Sequence, residues 1–285
     1  MSHASSMRGI LAMVCGTGLI TLSDAASKYL TEHYPVGQVI CLRQIAALIV
    51  MLPYVCYVTG MGALRPVDRP RQLLRALLFV GSAVLTVTSL SLLPLSFVTI
   101  VLFSGPLFVA LLSAPILGER VTPQQWIAIA AGFAGVLLIV RPAGTGFEWL
   151  LLLPVVAAFI NGLRDAVTRR ISRTDSSISV LVWSGVAVIL AGFVTLPFGW
   201  KAVDWEGAVW FAAAGFFNGT AHFLAIEAFR LGNAALVAPF RYSGLLWAML
   251  IGFLIWREVP DLWMLMGAGI VVCAGIYMLR QGSRA

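Results

Sequence analysis

Two couples of opposite charge lie inside apolar stretches of this chain, Asp24 with Lys28 and Asp165 with Arg169. Residues four apart share a helix face, so each couple can close an intrahelical ion pair that neutralises a helix end. The couples could instead act as two gates, one near each mouth of a pathway, that exchange partners when a site switches sides. Arg43 would then be the outer partner of Asp24. Arg241 follows Pro239-Phe240, where the missing backbone N–H lets a helix bend. Its guanidinium suits a carboxylate held in a bidentate fork, or a structural bridge to Glu227 or Asp165. His222 lies five residues before Glu227, about 140° away around a helix. It reads as a packing hydrogen-bond group or as a proton carrier. Asn161, one turn before Asp165 on the same face, suits an ammonium or amide group. Phe103, Trp183 and Tyr242 are aromatic residues that pack, face lipid or line an apolar pocket. Gly105 with Pro106, and Pro239 with Gly244, weaken two helices. They serve either close packing or hinges.

The elements that hold these residues are almost wholly apolar. Of the 285 residues, 60% are hydrophobic and 11% charged, against about 25% charged in a soluble domain. A soluble fold could not solvate such a surface, and the period-two alternation of a β-barrel is absent. The fold class is therefore an all-α membrane protein. Ten spans can be read, at 7–30, 36–58, 72–91, 95–117, 124–140, 148–170, 177–198, 207–230, 234–255 and 261–280. Each is near the ~20 residues that cross a bilayer core. An ionised group at the centre of such a span costs about 2.5–3.5 kcal/mol and normally faces a cavity or a partner.

Orientation follows from Lys and Arg. With the N-terminus inside, the inner face carries Arg8, Arg65, Arg69, Arg71, Arg75, Arg120, Arg169, Arg170, Arg173, Arg230, Arg280 and Arg284, and the outer face only Lys28, Arg141, Lys201 and Arg257. Both termini are then cytoplasmic, in an inner (plasma) membrane. The net charge of +7 is loop charge at an anionic membrane face, not a nucleic-acid surface. Cys15, Cys41, Cys56 and Cys273 lie in apolar runs without metal-ligand spacing and read as buried packing residues. The first apolar run is too long for a signal peptide and reads as a retained span.

The chain also repeats itself. At an offset of 139 residues Ser104-Gly105 falls on Ser243-Gly244, Leu107 on Leu246, Leu111 on Leu250, Ile116 on Ile255 and Glu119 on Glu258. At an offset of 141, Asp24 to Lys28 falls on Asp165 to Arg169. This suggests two five-helix repeats, 1–142 and 143–285, forming one transport domain. An odd number of spans turns the second repeat upside down, an arrangement suited to alternating access. Where the copies differ, the second is the more polar: Arg241 against Leu102, Glu227 against Thr88, Arg230 against Ser91.

No zinc-protease, nucleophile-elbow, P-loop or Asp-rich diphosphate motif is present, so no catalytic residue, metal or cofactor is expected. At this point the chain resembles the EamA-like branch of the drug/metabolite transporter superfamily. The resemblance rests on the five-plus-five spans, on Leu117-Gly118-Glu119-Arg120 with its echo Trp256-Arg257-Glu258-Val259, and on the glycine-rich span after Glu119. Arg257 stands where the first copy has Gly118, so only the glutamate of that motif is shared. The resemblance implies secondary transport through a central cavity lined mainly by spans 3, 4, 8 and 9 and gated by spans 1 and 6. Carried onto this sequence, Arg241, Tyr242, Phe103, His222 and Glu227 line the cavity, and Asp24 and Asp165 gate it. Charged groups of both signs near an apolar–aromatic cavity suit a zwitterion with a hydrophobic side chain. The expected activity is export of neutral or aromatic amino acids. The alternative is transport of riboflavin or another heteroaromatic metabolite, and a membrane-embedded enzyme is a remote one. The expected partners are a small-molecule substrate and the lipid bilayer, with no nucleic acid and no obligate protein partner.

Overall fold

The computed structural model describes residues 3–54, 64, 66–117, 122–141, 148–171, 177–231 and 234–282, of which 3–6, 52, 54, 113–115, 117, 169–171, 177, 234–235 and 279–282 are described by backbone alone. These residues form twelve α-helices: α1 (His3–Thr31), α2 (Val36–Tyr54), α3 (Arg69–Leu92), α4 (Leu95–Leu102), α5 (Gly105–Leu117), α6 (Pro123–Val140), α7 (Leu153–Ile171), α8 (Ser177–Val194), α9 (Trp205–Leu231), α10 (Ala234–Val237), α11 (Ser243–Trp256) and α12 (Leu262–Gly282). Short 3-10 turns, Trp149–Leu152 and Ala238–Tyr242, lead into α7 and α11. There is no strand among the described residues. The protein is a multi-pass membrane protein. Among the described residues seven helical segments are long and apolar enough to cross a bilayer, and Val36–Met51, Ile178–Val194 and Leu262–Met278 are shorter apolar helices.

Local chemistry sets the helix ends. Thr122 accepts from Gln125 N while Gln125 reaches back to Thr122 N, a capping box that starts α6 with Pro123 in its first turn. Asp68 starts α3 by accepting from Arg71 N. Arg141 and Arg257 take the left-handed conformation, with φ of 47° and 56°, just after α6 and α11.

Two of the spans are broken rather than continuous. The span expected at 95–117 divides at Phe103-Ser104 into α4 and α5. The span expected at 234–255 runs as α10, a 3-10 turn and α11. Proline is the physical reason in both. Pro106 and Pro239 have no N–H to continue the helical ladder, and the chain tightens to i→i+3 bonds, Ser104 N to Val101 O (3.0 Å) and Leu107 N to Ser104 O (2.9 Å). The proposed hinge residues Gly105, Pro106, Pro239 and Gly244 thus lie at or beside these breaks. Gly232 and Asn233, part of the polar break before α10, lie outside the described residues.

The helices pack in a reciprocal pattern. α1 lies along α9 and α11, α7 along α3 and α5, α2 along α8 and α9, α3 along α8, and α6 along α12. Glycines bring the α6–α12 backbones together, since a Cβ on Gly267 would stand 2.6 Å from Gly135 O. The main core joins Leu95, Val98, Ile100 and Val101 of α4 to Val136 and Ile139 of α6, Leu245 of α11 and Val271 of α12. Outward surfaces carry large apolar side chains such as Ile127, Leu137, Leu190, Leu246 and Leu254. In a bilayer these meet lipid tails. Cys41 is buried, but Cys15 and Cys273 are exposed, so the expectation of buried packing cysteines holds only for Cys41. Cys56 lies outside the described residues.

Candidate functional site

The polar groups toward the C-terminal end of α1 are held by that helix. Asp24 faces α2, where Arg43 Nη1 lies 3.3 Å from Asp24 Oδ1 and donates to Ser27 Oγ at 2.9 Å. One turn on, Lys28 takes a different partner. Its Nζ stands 3.2 Å from Glu258 Oε1 and donates to Leu93 O at 2.6 Å. Asp24 and Lys28 therefore do not form the intrahelical pair that their spacing allows, because each finds a partner on another segment. Glu258 is also the cap of the broken span. It accepts from Leu95 N (2.9 Å), Ser96 N (3.1 Å) and Ser96 Oγ (3.0 Å), covering the orphan donors at the start of α4.

Beyond this layer a polar rim closes the α1–α2 turn onto the start of α9. Asp204 Oδ1 accepts from Gly207 N (2.7 Å) and from Tyr34 Oη (2.9 Å). The Gly207 N–H first, and then the Tyr34 hydroxyl, hold the Asp204 carboxyl below its usual range. Burial and the bond to Asp204 push the Tyr34 phenol up. Lys201 Nζ donates to His33 O at 2.6 Å, and Gln38 exchanges bonds with the Lys201 backbone.

On α7, Asp165 is held by its neighbour. Arg164 Nε and Nη2 donate to Asp165 Oδ1 at 2.9 and 2.7 Å, and the guanidinium also lies 5.5 Å from the Phe79 ring centroid. The side chain of Arg169 lies outside what is described, as does Glu119. Glu227 pairs with Arg230. With Asp165 and Glu227 both engaged, the structural bridge considered for Arg241 does not form. Arg241 is exposed, and its side chain makes no ion pair or hydrogen bond among the described residues. Arg75, assigned from the sequence to the inner loop charge, is instead buried between three helices at 7% exposure.

Mid-span polar groups are largely uncommitted. His222 and Asn161 are half-buried and make no hydrogen bond among the described residues. Neither does Asn218, 7% exposed and one turn before His222 on α9. Asn218 was not anticipated from the sequence, although the i,i+4 spacing to His222 carried the signal. The packing of α9 shows where these two point. Gly215 and Gly219 press on Ala46, Ala47 and Val50 of α2, whereas Ala214 and Ala221 meet Ser23 and Gly16 of α1. At 100° per residue Asn218 and His222 fall between those two faces, toward the interior. His222 there is within electrostatic reach of Arg164, Arg43, Arg75 and Arg241.

The broken spans meet in the middle of the bundle. The rings of Phe103 and Tyr242 pack 5.3 Å apart, centroid to centroid. Thr17 Oγ1 and Ser243 Oγ share a hydrogen bond of 2.8 Å, and Trp247 Nε1 donates to Val14 O at 3.1 Å. Tyr242 is buried, and its hydroxyl has no hydrogen-bond partner among the described residues. Trp183 departs from this group. It is exposed, and its indole donates to Leu64 O at 2.8 Å. That bond holds the ring at the surface beside Leu64.

Comparison with known proteins accords with this picture. The model of the EamA-like transporter family matches residues 7–141 and again 148–280. An S-adenosylmethionine uptake transporter of Rickettsia bellii is 27% identical over 263 residues, covering 92% of this chain and 90% of its own. A riboflavin transporter of Rhizobium johnstonii is 26% identical over 279 residues, covering 97% and 92%. A pseudopaline exporter of Pseudomonas aeruginosa is 24% identical over 277 residues, covering 95% and 96%. A solved crystal structure aligns over 100% of both chains with a TM-score of 0.64 at 18% identity, and so shares the fold.

Proposed function

Because the chain belongs to the EamA-like transporter family, we propose that it moves a small metabolite across the bacterial inner membrane by alternating access, without catalysing a reaction. The observation that carries this reading is the set of polar side chains left unbonded in mid-span, His222, Asn161 and Asn218. In a bilayer such groups normally find partners or face a pathway. Unpartnered groups turned toward the bundle interior suit a ligand that supplies the missing bonds.

The architecture we infer is ten spans in two inverted five-helix repeats, 1–142 and 143–285, with both termini cytoplasmic. The family model fits the chain twice, and the contacts pair off under the 139–141 residue offset. The α1–α9 packing has its counterpart in α7–α3, and the α1–α11 packing in α7–α5. The breaks after Leu102 and before Ser243 fall at equivalent places. Inverted halves that can exchange conformations give alternating access a structural basis. In this reading Asp24–Arg43 and Lys28–Glu258 close the outer side, and Asp165 with Arg169 serves the inner side. The breaks at Gly105-Pro106 and Pro239–Gly244 are the hinges. Arg241, Tyr242, Phe103, His222, Glu227, Asn161 and Asn218 contact substrate.

For the substrate, relatives named for S-adenosylmethionine and riboflavin favour a metabolite with a nitrogen heteroaromatic ring. The central Phe103–Tyr242 pair and the Asn218–His222 ridge would stack and hydrogen-bond such a ring. Export of neutral or aromatic amino acids stays as the second reading, because Arg43, Arg164 and their aspartates can hold both ends of a zwitterion. The test is counterflow in proteoliposomes of the purified protein, loaded with S-adenosylmethionine, riboflavin or phenylalanine. Saturable entry of labelled substrate supports transport, and the substrate that exchanges identifies the class. A folded protein that exchanges none of the three would overturn the reading.

A further inference from the structure

Arg43 and Arg75 are the charged side chains buried beyond nine-tenths among the described residues, at 8% and 7% exposure. Arg43 has Asp24 beside it. Arg75 has no carboxylate partner among the described residues. Its Nε donates to Thr168 Oγ1 at 2.7 Å, and its Nη1 donates to Val180 O at 3.1 Å and to Ser184 Oγ. All three acceptors are neutral, and Nη2 bonds to none of the described residues. Neutral acceptors satisfy N–H groups but do not offset the desolvation of a full positive charge.

Among the described residues the neighbourhood does not supply the missing anion. The described charges that act on Arg75 are Arg164 and Asp165. Asp165 is already gripped by two N–H groups of Arg164, so the three groups together carry one net positive charge. The site is also built to hold the guanidinium still. The Thr168 hydroxyl spends its proton on Arg164 O (2.7 Å), and the Ser184 hydroxyl spends its own on Val180 O (2.7 Å). Both oxygens therefore turn lone pairs toward Arg75, leaving the Nη2 edge of its planar fork unused. His222 is within electrostatic reach of Arg75 and Arg164.

We propose that Arg75 is a substrate-binding residue whose free Nη2 edge, beside Arg164, receives a carboxylate of the transported metabolite. The substrate is then a small organic carboxylate or a zwitterion that contains one. A net local charge of one matches a monoanion better than a phosphate dianion. The inference rests on the transport reading above and narrows it. S-adenosylmethionine and amino acids carry the required group, and riboflavin does not. A guanidinium that merely clamped α3 to α7 and α8 would leave substrate preference untouched, which separates the two roles.

The experiment is competition in proteoliposome counterflow, using phenylalanine against phenylalaninamide and S-adenosylmethionine against methylthioadenosine, which lacks the carboxylate. Wild-type protein should prefer the acid of at least one couple by about tenfold or more. Arg75→Gln should lose that preference, and Arg75→Lys, which keeps the charge without the fork, should retain part of it. Equal competition by acid and neutral analogue, or flux of riboflavin alone, overturns the carboxylate site while leaving transport standing. Full acid preference in Arg75→Gln overturns the role of Arg75. No flux of any probe removes the transport reading, and this one with it. If Arg75→Gln does not fold, the wild-type couples still test the substrate class and Arg75→Lys still tests the residue.

Discussion

Phe103 and Tyr242 touch, with ring centroids 5.3 Å apart, and the two residues are equivalent under the 139-residue offset that aligns the halves of the chain. A residue can meet its own counterpart only beside the axis that relates the two copies. On the repeat proposed above, this ring pair marks that axis, at the level where both broken spans restart as α5 and α11. The Tyr242 hydroxyl is the polar difference between the two rings. It is buried, lacks a partner among the described residues and lies so close to Gly275 that a Cβ there would collide with it.

An orphaned buried hydroxyl costs about 1–3 kcal/mol. Tyr242→Phe should therefore raise the Tm of the solubilised protein while lowering the rate of substrate counterflow. A lower Tm in the variant would mean that the hydroxyl has a stabilising partner after all.

Glu258 is the second point at which the halves are tied. Its carboxylate caps α4 and faces Lys28, with side chains only 11% and 13% exposed. Removing one member of a buried pair strands the other, at a cost of about 3 kcal/mol or more. Glu258→Gln keeps one oxygen for the α4 N–H groups but leaves Lys28 unneutralised. Its thermal unfolding should move down by several degrees, and a midpoint within about 1 °C of wild type would refute the cap.

The polar rim predicts a pH window. The folded Asp204 carboxyl titrates below its unfolded value, so its contribution is present above the unfolded pKa, about 3.9, and is lost as pH falls through the folded one. The Tyr34 phenol is raised, so its contribution is present below the unfolded pKa of about 10 and is lost as pH rises through the folded one. The start of α9 should hold through the neutral range and loosen at both extremes. Hydrogen exchange at Gly207 and Ala208 checks this. Asp204→Asn should remove the acid limb and weaken the alkaline one, since part of the Tyr34 shift comes from Asp204, and an unchanged acid limb in that variant would assign it to another group.

Much of this could be read from residues alone. Composition and apolar run length located the helices, and proline chemistry located the weak points at Pro106 and Pro239. The choice of charged partners could not be read. Asp24 and Lys28 satisfy an i,i+4 rule on paper, but Arg43 and Glu258 approach from other segments, and no local spacing encodes that. Arg75 looked like loop charge because it lies near the start of α3. Only packing shows that α7 and α8 close over it. Asn218 carried a helical-spacing signal with His222 that a single amide in an apolar run does not announce.

Arg241 supplies the most direct test of the central site. It is exposed, and no carboxylate or hydrogen-bond acceptor among the described residues holds it. Arg241→Ala should therefore leave folding intact, with a Tm close to wild type. If the guanidinium grips substrate, its removal loses a charge-assisted bond of about 1.5–3 kcal/mol, which is roughly a tenfold to hundredfold loss of affinity. The half-saturation concentration for counterflow should rise by that factor. Arg241→Lys should recover less than Arg75→Lys if the fork rather than the charge is used here. Saturable counterflow unchanged in Arg241→Ala would take Arg241 out of the site and leave the interior polar set, His222, Asn161 and Asn218, with Arg75 as its charged member.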